Sequence, residues 1–151
     1  MSTANPILEQ WIERTMQSYP SAALPFLAGQ DDPFRNPVGH TLRQSLTILF
    51  EELQGTMDAD SVASALDAII RIRAVQDMTA SQAVGFVFLL KPILQELAPA
   101  HDSALADRID QLALMAFDNY MECREEIAEI RLNESRRSVR EQRRATGGGA
   151  L

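Results

Sequence analysis

The acidic residues best suited to chemistry lie in one short stretch, from Asp118 to Glu126. Glu122 and Glu126 are four residues apart, so a helix would place both carboxylates on one face. Pairs of helical carboxylates can hold a di-metal centre, but such centres also take Glu-x-x-His pairs from neighbouring helices. No histidine occurs near this stretch. We therefore interpret the acids as a solvated or ion-paired helix face and predict no metal site.

A second candidate is an arginine on an apolar helix face. At about 100° per residue, Arg73 shares the face of Leu66 and Ile69. Burying a charge is costly without a partner, so Arg73 needs polar neighbours. The candidate polar centre that we predict consists of Arg73, Asp77, Asp118 and Glu122. This centre is either a structural ion pair that locks two helices or a switchable, ligand-sensing polar group.

Motifs for catalysis and cofactor binding are missing from the sequence. The histidines, His40 and His101, have no Cys, His or acid at metal-ligand spacing. The single cysteine, Cys123, lies on an apolar helix stripe and is interpreted as a small core residue. We predict no catalytic residues and no cofactor, and therefore no enzyme. A haem-binding globin is an alternative, with His40 or His101 as the iron ligand.

Composition and charge restrict the environment and the partners. The chain has 151 residues, one cysteine and a net charge of −7, with a pI near 4.8. The acidity disfavours nucleic acid as a partner, and the lack of an internal disulfide favours a reducing cytoplasm. The most apolar run, Val84 to Leu94, is shorter than the roughly 20 residues of a membrane helix. We expect a cytoplasmic protein that does not insert into membranes.

Helix start and stop signals predict an all-α fold. Asn5 and Asn36 each precede a proline, which is typical of an N-cap followed by the first helical residue. The first helix is expected to break at Tyr19, and the second to end at Gly55. A short helical turn is expected at residues 21–27. Asp58 is a candidate cap for the third helix.

The second half of the chain is predicted to contain one buried helix and one long helix. Thr79 and Gln82 form a capping box, and the segment from Ala83 to Leu97 is apolar nearly all round, which predicts a central buried helix. Pro92 is expected to kink it. The last helix is expected to start near His101.

The last helix changes character along its length. An apolar inner stripe extends to Ile130, but after Leu132 only Val139 is strongly apolar, so residues 133–144 cannot pack into the core of their own domain. We divide the chain into a helical sensor or interaction domain, residues 1–132, and a charged helical extension with a flexible glycine tail, residues 133–151. The candidate partner-docking residues are Arg136, Arg137, Arg140, Arg143 and Arg144.

Three stretches of the sequence resemble a known family. They are NPVGHT at residues 36–41, RIRAVQD at 71–77 with SQAVGFV at 81–87, and AFDNYMECR at 116–124. Together they are similar to the N-terminal domain of RsbRD-type RsbT co-antagonist proteins, which are stressosome components. The likeness extends from about Ile7 to Arg137.

The resemblance implies a globin-like helical bundle without haem that forms a homodimer. In such proteins the last helix continues into a STAS domain, and the STAS cores build the stressosome, which sequesters the RsbT kinase. The present sequence ends at Leu151 without a STAS domain, so we expect a stand-alone regulatory, sensor or docking domain of bacterial stress-type signalling, with a protein partner bound through the last helix. An accessory or regulatory subunit of a larger bacterial complex, such as a redox enzyme, is a further alternative.

Overall fold

All regular secondary structure in the described part of the chain is helical. A computed structural model describes residues 5–19 and 36–147, so the helical turn expected at 21–27 and the end of the glycine tail lie outside the described residues. The elements in chain order are α1 (Pro6–Gln17), α2 (Pro37–Gln54), α3 (Ala59–Val75), α4 (Ala80–Val84), a 3₁₀ helix (Gly85–Leu89), α5 (Leu90–Leu97) and α6 (Ser103–Gly147). The predicted all-α class and the long C-terminal helix are confirmed.

The helices begin where the capping residues stand in the sequence. The side chains of Asn5, Asn36 and Asp58 accept backbone N–H bonds of 2.9, 2.9 and 3.0 Å at the starts of α1, α2 and α3. Thr79 and Gln82 form the predicted capping box. Each cap satisfies N–H groups that have no partner inside the helix, which fixes the first residue of each helix.

The core surrounds α3, which packs against α2 and α6. The α1 helix packs against α2, α5 and the 3₁₀ helix. The largest apolar side chains that are fully buried include Trp11, Leu46, Ile69, Ile70, Phe86, Leu90 and Ile93. Because each such side chain contributes about 1.5–3 kcal/mol when it is removed from water, these packing faces hold the helices in place.

The predicted continuous helix from Ala83 to Leu97 is wrong. The chain forms the short α4, tightens into the 3₁₀ helix, and resumes as α5, so the irregularity precedes Pro92. In an α-helix the carbonyl of Phe86 would accept from Leu90 N–H, but that N–H points to the carbonyls of Val87 and Phe88. The freed Phe86 carbonyl accepts a 2.7 Å bond from the buried Trp11 indole. A tertiary hydrogen bond thus accompanies the interruption of the α-helix by the 3₁₀ helix.

The α6 helix has a packed half and an exposed half. Its buried residues extend from Ile109 to Cys123. Ile130, which the sequence analysis assigned to the inner stripe, is 57% exposed, because α6 has already left the body at that point. Every described residue from Ala128 to Gly147 is exposed. Residues 133–144 therefore do not contact the core, as their polarity led us to expect.

No helix within residues 5–19 and 36–147 combines the length and the apolar character needed to cross a membrane.

Candidate functional site

Arg73 is a fully buried arginine in the last turn of α3. Its side chain is 0% exposed, which confirms that it lies on the face of Leu66 and Ile69. The surrounding core is apolar, so the cost of removing the guanidinium from water must be offset by local contacts.

The hydrogen-bond partners of Arg73 are neutral oxygens. Nη1 donates to the carbonyls of Gln82 and Ala83 at 3.0 and 3.4 Å. Nη2 donates to Ser18 Oγ at 3.0 Å, and Nε donates to the hydroxyl of Tyr19 at 3.3 Å. These bonds join α3 to the end of α1 and to the end of α4. Within residues 5–19 and 36–147, no carboxylate forms a salt bridge with Arg73.

Two aromatic rings complete the surroundings of the guanidinium. Its central carbon lies 4.5 Å from the ring centroid of Tyr19 and 5.1 Å from that of Phe86. The negative faces of aromatic rings attract a cation, and the carbonyl oxygens at a helix C-terminus carry partial negative charge. Within the described residues, the guanidinium of Arg73 is therefore surrounded by dipoles and aromatic quadrupoles and not by carboxylates.

Asp77 does not pair with Arg73, so this part of the predicted polar centre is wrong. Asp77 lies in the turn after α3 with a φ of 57°, and its side chain points away from the core. Its Oδ1 accepts from Arg124 Nη1 at 3.1 Å and from Arg131 Nη2 at 3.5 Å. The bond from Arg124, together with the charge of Arg131, holds the pKa of this carboxyl below its usual range.

Asp118 and Glu122 also lie apart from Arg73. Both are exposed on α6, because α6 contacts α3 through the adjacent face that carries Tyr120 and Cys123. The two acids line a shallow depression of about 210 Å³ between α3 and α6, together with Ala63, Leu66, Met115 and Asn119. The predicted four-residue centre is therefore divided among three places in the molecule.

An ionic cluster that was not predicted from the sequence lies between α3 and α6. Arg71 donates to Asp67 Oδ1 at 3.1 Å and to Glu126 Oε2 at 2.8 Å. Asp67 also accepts from Asn119 at 3.4 Å and from the Cys123 thiol at 3.7 Å. The i, i+4 spacing of Asp67 and Arg71 was the signal in the sequence that could have identified it.

The electrostatics of this cluster follow from its contacts. The hydrogen bonds from Arg71 hold the pKa of Asp67 below its ordinary value. Burial raises the pKa of the Cys123 thiol, so Cys123 remains protonated at neutral pH. A protonated, buried thiol is a poor nucleophile and a poor metal ligand, which fits its interpretation as a core residue.

The histidines do not form a ligand set with other side chains. His101 lies in the turn before α6, where its Nδ1 is 2.8 Å from the carbonyl oxygen of Ala98. His40 is half-buried on α2. Among the described residues, no group of His, Cys, Asp or Glu side chains is arranged to hold a metal ion.

The family model for the RsbT co-antagonist protein rsbRD N-terminal domain matches residues 5–135. The chain belongs to this family. The match extends from the Asn5 cap of α1 into the exposed half of α6, and it includes Arg71 and Arg73. Neither a curated protein nor a solved structure matches the chain significantly. The globin-like arrangement of its helices therefore stays a prediction.

The five candidate docking arginines of this rsbRD N-terminal domain lie beyond the matched residues. All five are exposed on the last turns of α6: Arg136, Arg137, Arg140, Arg143 and Arg144. Within the described ranges none of them forms a salt bridge. Their side chains are therefore in contact with solvent.

Proposed function

We propose that this rsbRD N-terminal domain is a non-enzymatic regulatory module of bacterial stress-type signalling. It acts in the cytoplasm as a homodimer and passes its state along α6 to a partner protein. The observation that carries the proposal is the continuity of α6, a 45-residue helix that begins in the packed body and ends in an exposed arginine-rich segment. A helix of this kind couples the body to whatever binds its end.

The turn between α3 and α4 supplies the contact through which the body acts on α6. Arg124 of α6 donates to the carbonyl of Ala74 and to Asp77, both at 3.1 Å. Tyr120 of α6 donates a 2.6 Å bond to the carbonyl of Met78. A rearrangement of this turn must break or move these bonds, so it changes the position of α6.

The exposed end of α6 has the chemistry of a protein-docking segment. Guanidinium groups form bidentate bonds with carboxylates, and these five fall within an arc of about 120° around the helix, so they form one broad basic face. The partner that fits is a protein with an acidic surface, and its association should weaken as salt concentration rises.

Crosslinking in cells combined with native mass spectrometry tests this proposal. One variant carries Arg136→Gln, Arg137→Gln, Arg140→Gln, Arg143→Gln and Arg144→Gln. Its matched control carries Glu129→Gln, Glu134→Gln and Glu141→Gln on the same exposed half of α6. The wild-type chain and the control should capture one defined protein, and the arginine variant should lose roughly 90% of that capture.

Two results would contradict the proposal. One is a monomeric wild-type chain in native mass spectrometry at micromolar concentration. The other is equal capture of the partner by the arginine variant and its glutamate control.

A further inference from the structure

A second apolar stripe runs along the outside of α6. Leu114, Phe117, Met121, Leu132 and Val139 are 69%, 44%, 43%, 51% and 45% exposed. At about 100° per residue these five side chains fall within roughly 60° of one another. The stripe spans roughly 39 Å of helix, and it faces away from the inner stripe that packs on α3.

Charged residues follow one side of this stripe, with opposite signs in its two halves. Asp118, Glu122 and Glu125 flank the half that lies on the body of the domain. Arg136, Arg140 and Arg143 occupy the corresponding helical positions five turns later, because 18 residues make five turns of 3.6. All six side chains are exposed, and within the described residues none forms a salt bridge.

We infer that this stripe is the surface on which a second copy of the chain docks, with the two α6 helices antiparallel. In a two-fold antiparallel pair the charged sides of both stripes meet, so the acids of one protomer face the arginines of its partner. A register centred between Ile130 and Arg131 places Asp118 level with Arg143 and Glu125 level with Arg136. It places Glu122 one residue, about 1.5 Å along the axis, from the level of Arg140. In the same register Met121 and Val139 are within one residue of the same level, and so are Ala128 and Leu132.

The antiparallel pairing also covers the half of α6 that its own domain leaves exposed. The exposed half of one helix lies along the body-packed half of the other, so Val139 gains an apolar neighbour. A parallel pair would place Arg136, Arg140 and Arg143 at the same height in both protomers. The acids at that height, Glu134 and Glu141, lie on the opposite side of the helix and therefore cannot meet these arginines. In a parallel pair, the arginines that could meet the acidic residues of the stripe are Arg124 and Arg131, and both are already bonded to Asp77.

This inference rests on the proposed homodimer and assigns its interface. It also divides the arginines at the end of α6 into two groups. Arg137 and Arg144 fall on the side of α6 opposite the stripe, so they remain free for the partner protein when the dimer forms.

Thiol crosslinking of single-cysteine chains tests the arrangement. In a Cys123→Ala background, chains with Met121→Cys and chains with Val139→Cys are mixed and treated with a short bismaleimide. We expect crosslinks between the two kinds of chain and few within either kind, because like positions lie about 27 Å apart in the antiparallel pair. Efficient crosslinking of each variant with itself would show a parallel pair and overturn the inference.

A charge swap tests the register without a crosslinker. Arg140→Glu should weaken dimerisation at least about tenfold, because the symmetric pair contains this contact twice. Adding Glu122→Arg should restore it. Arg144→Glu, on the side of α6 opposite the apolar stripe, is the matched control and should leave dimerisation unchanged. Dissociation constants are measured by analytical ultracentrifugation.

The possible failures separate the inference from the proposed function. A dimer without crosslinks at Met121→Cys and Val139→Cys, and without a response to Arg140→Glu, would overturn this interface and leave the homodimer intact. A chain that stays monomeric would contradict both.

Discussion

Arg71 and Arg73 lie two residues apart on α3 and carry the same charge in opposite surroundings. Arg71 is on the surface and contacts two carboxylates, those of Asp67 and Glu126. Arg73 is 0% exposed, and its hydrogen-bond partners within the described residues are carbonyl and hydroxyl oxygens. The arginine with formal counter-ions is therefore the one that water already solvates.

The comparison shows that the number of opposite charges near an arginine is a poor guide to its contribution. Exposed ion pairs contribute up to about 1 kcal/mol, because water and salt screen them. A buried donor that loses its partner costs about 1–3 kcal/mol. The contacts of Arg73 to neutral groups should therefore stabilise the fold more than the ion pairs of Arg71.

The largest effect is expected from Arg73→Met, which keeps the side-chain length and removes every donor. The oxygens of Ser18, Tyr19, Gln82 and Ala83 would lose the guanidinium, so the free energy of unfolding should fall by about 3–5 kcal/mol. Urea denaturation followed by far-ultraviolet circular dichroism measures the change. A loss below about 0.5 kcal/mol would reverse the ranking of the two arginines.

An intermediate effect is expected from Tyr19→Phe, which keeps the ring beside the guanidinium and removes the hydroxyl. The Nε–H of Arg73 would be buried without an acceptor, at a cost of about 1–2 kcal/mol. The same unfolding experiment gives the value. If Tyr19→Phe destabilised the fold as much as Arg73→Met, the ring would contribute nothing and the hydroxyl would account for the whole site.

The smallest effect is expected from Arg71→Ala. About half of each side chain in its ion pairs is exposed, so the loss should be below about 0.5 kcal/mol at neutral pH. Arg14→Ala, which breaks the exposed pair of Arg14 with Glu96, is a matched control of similar size.

The pH dependence of Arg71→Ala tests whether the contact with Asp67 contributes to stability. The pKa of Asp67 is lowered in the folded state, chiefly by Arg71, so its contribution is complete above the unfolded pKa near 3.9 and is lost as pH falls through the lower folded value. The deficit of the variant should therefore be constant above about pH 5 and shrink below about pH 4. A deficit that grows on acidification would exclude Asp67 as the partner.

The helices were predictable from sequence where local signals fix their ends. Asn5, Asn36, Asp58 and Thr79 act within three residues along the chain, and each starts a helix as predicted. The 3₁₀ helix was not predictable, because it accompanies the bond from Trp11 to the carbonyl of Phe86, 75 residues away. Helical periodicity contains no information on a contact at that distance.

The site was predictable to the same limited extent. Periodicity placed Arg73 in the core, because a residue's face depends only on its own helix. It did not identify the partners, because backbone carbonyls have no sequence signature and Ser18 and Tyr19 belong to another helix. Carboxylates are the usual partners of a buried arginine, but Asp77 follows α3 in a left-handed turn that directs it toward α6.

The indole of Trp11 makes the molecule its own optical probe. It is the only tryptophan of the chain, it is fully buried, and it is hydrogen-bonded to the residue whose ring faces Arg73. A dry indole emits at shorter wavelengths than a hydrated one, so the emission spectrum reports the state of this one junction. A change in the emission spectrum without loss of the helical circular dichroism signal indicates local opening at the junction between α1 and the 3₁₀ helix. A simultaneous change in both signals indicates global unfolding.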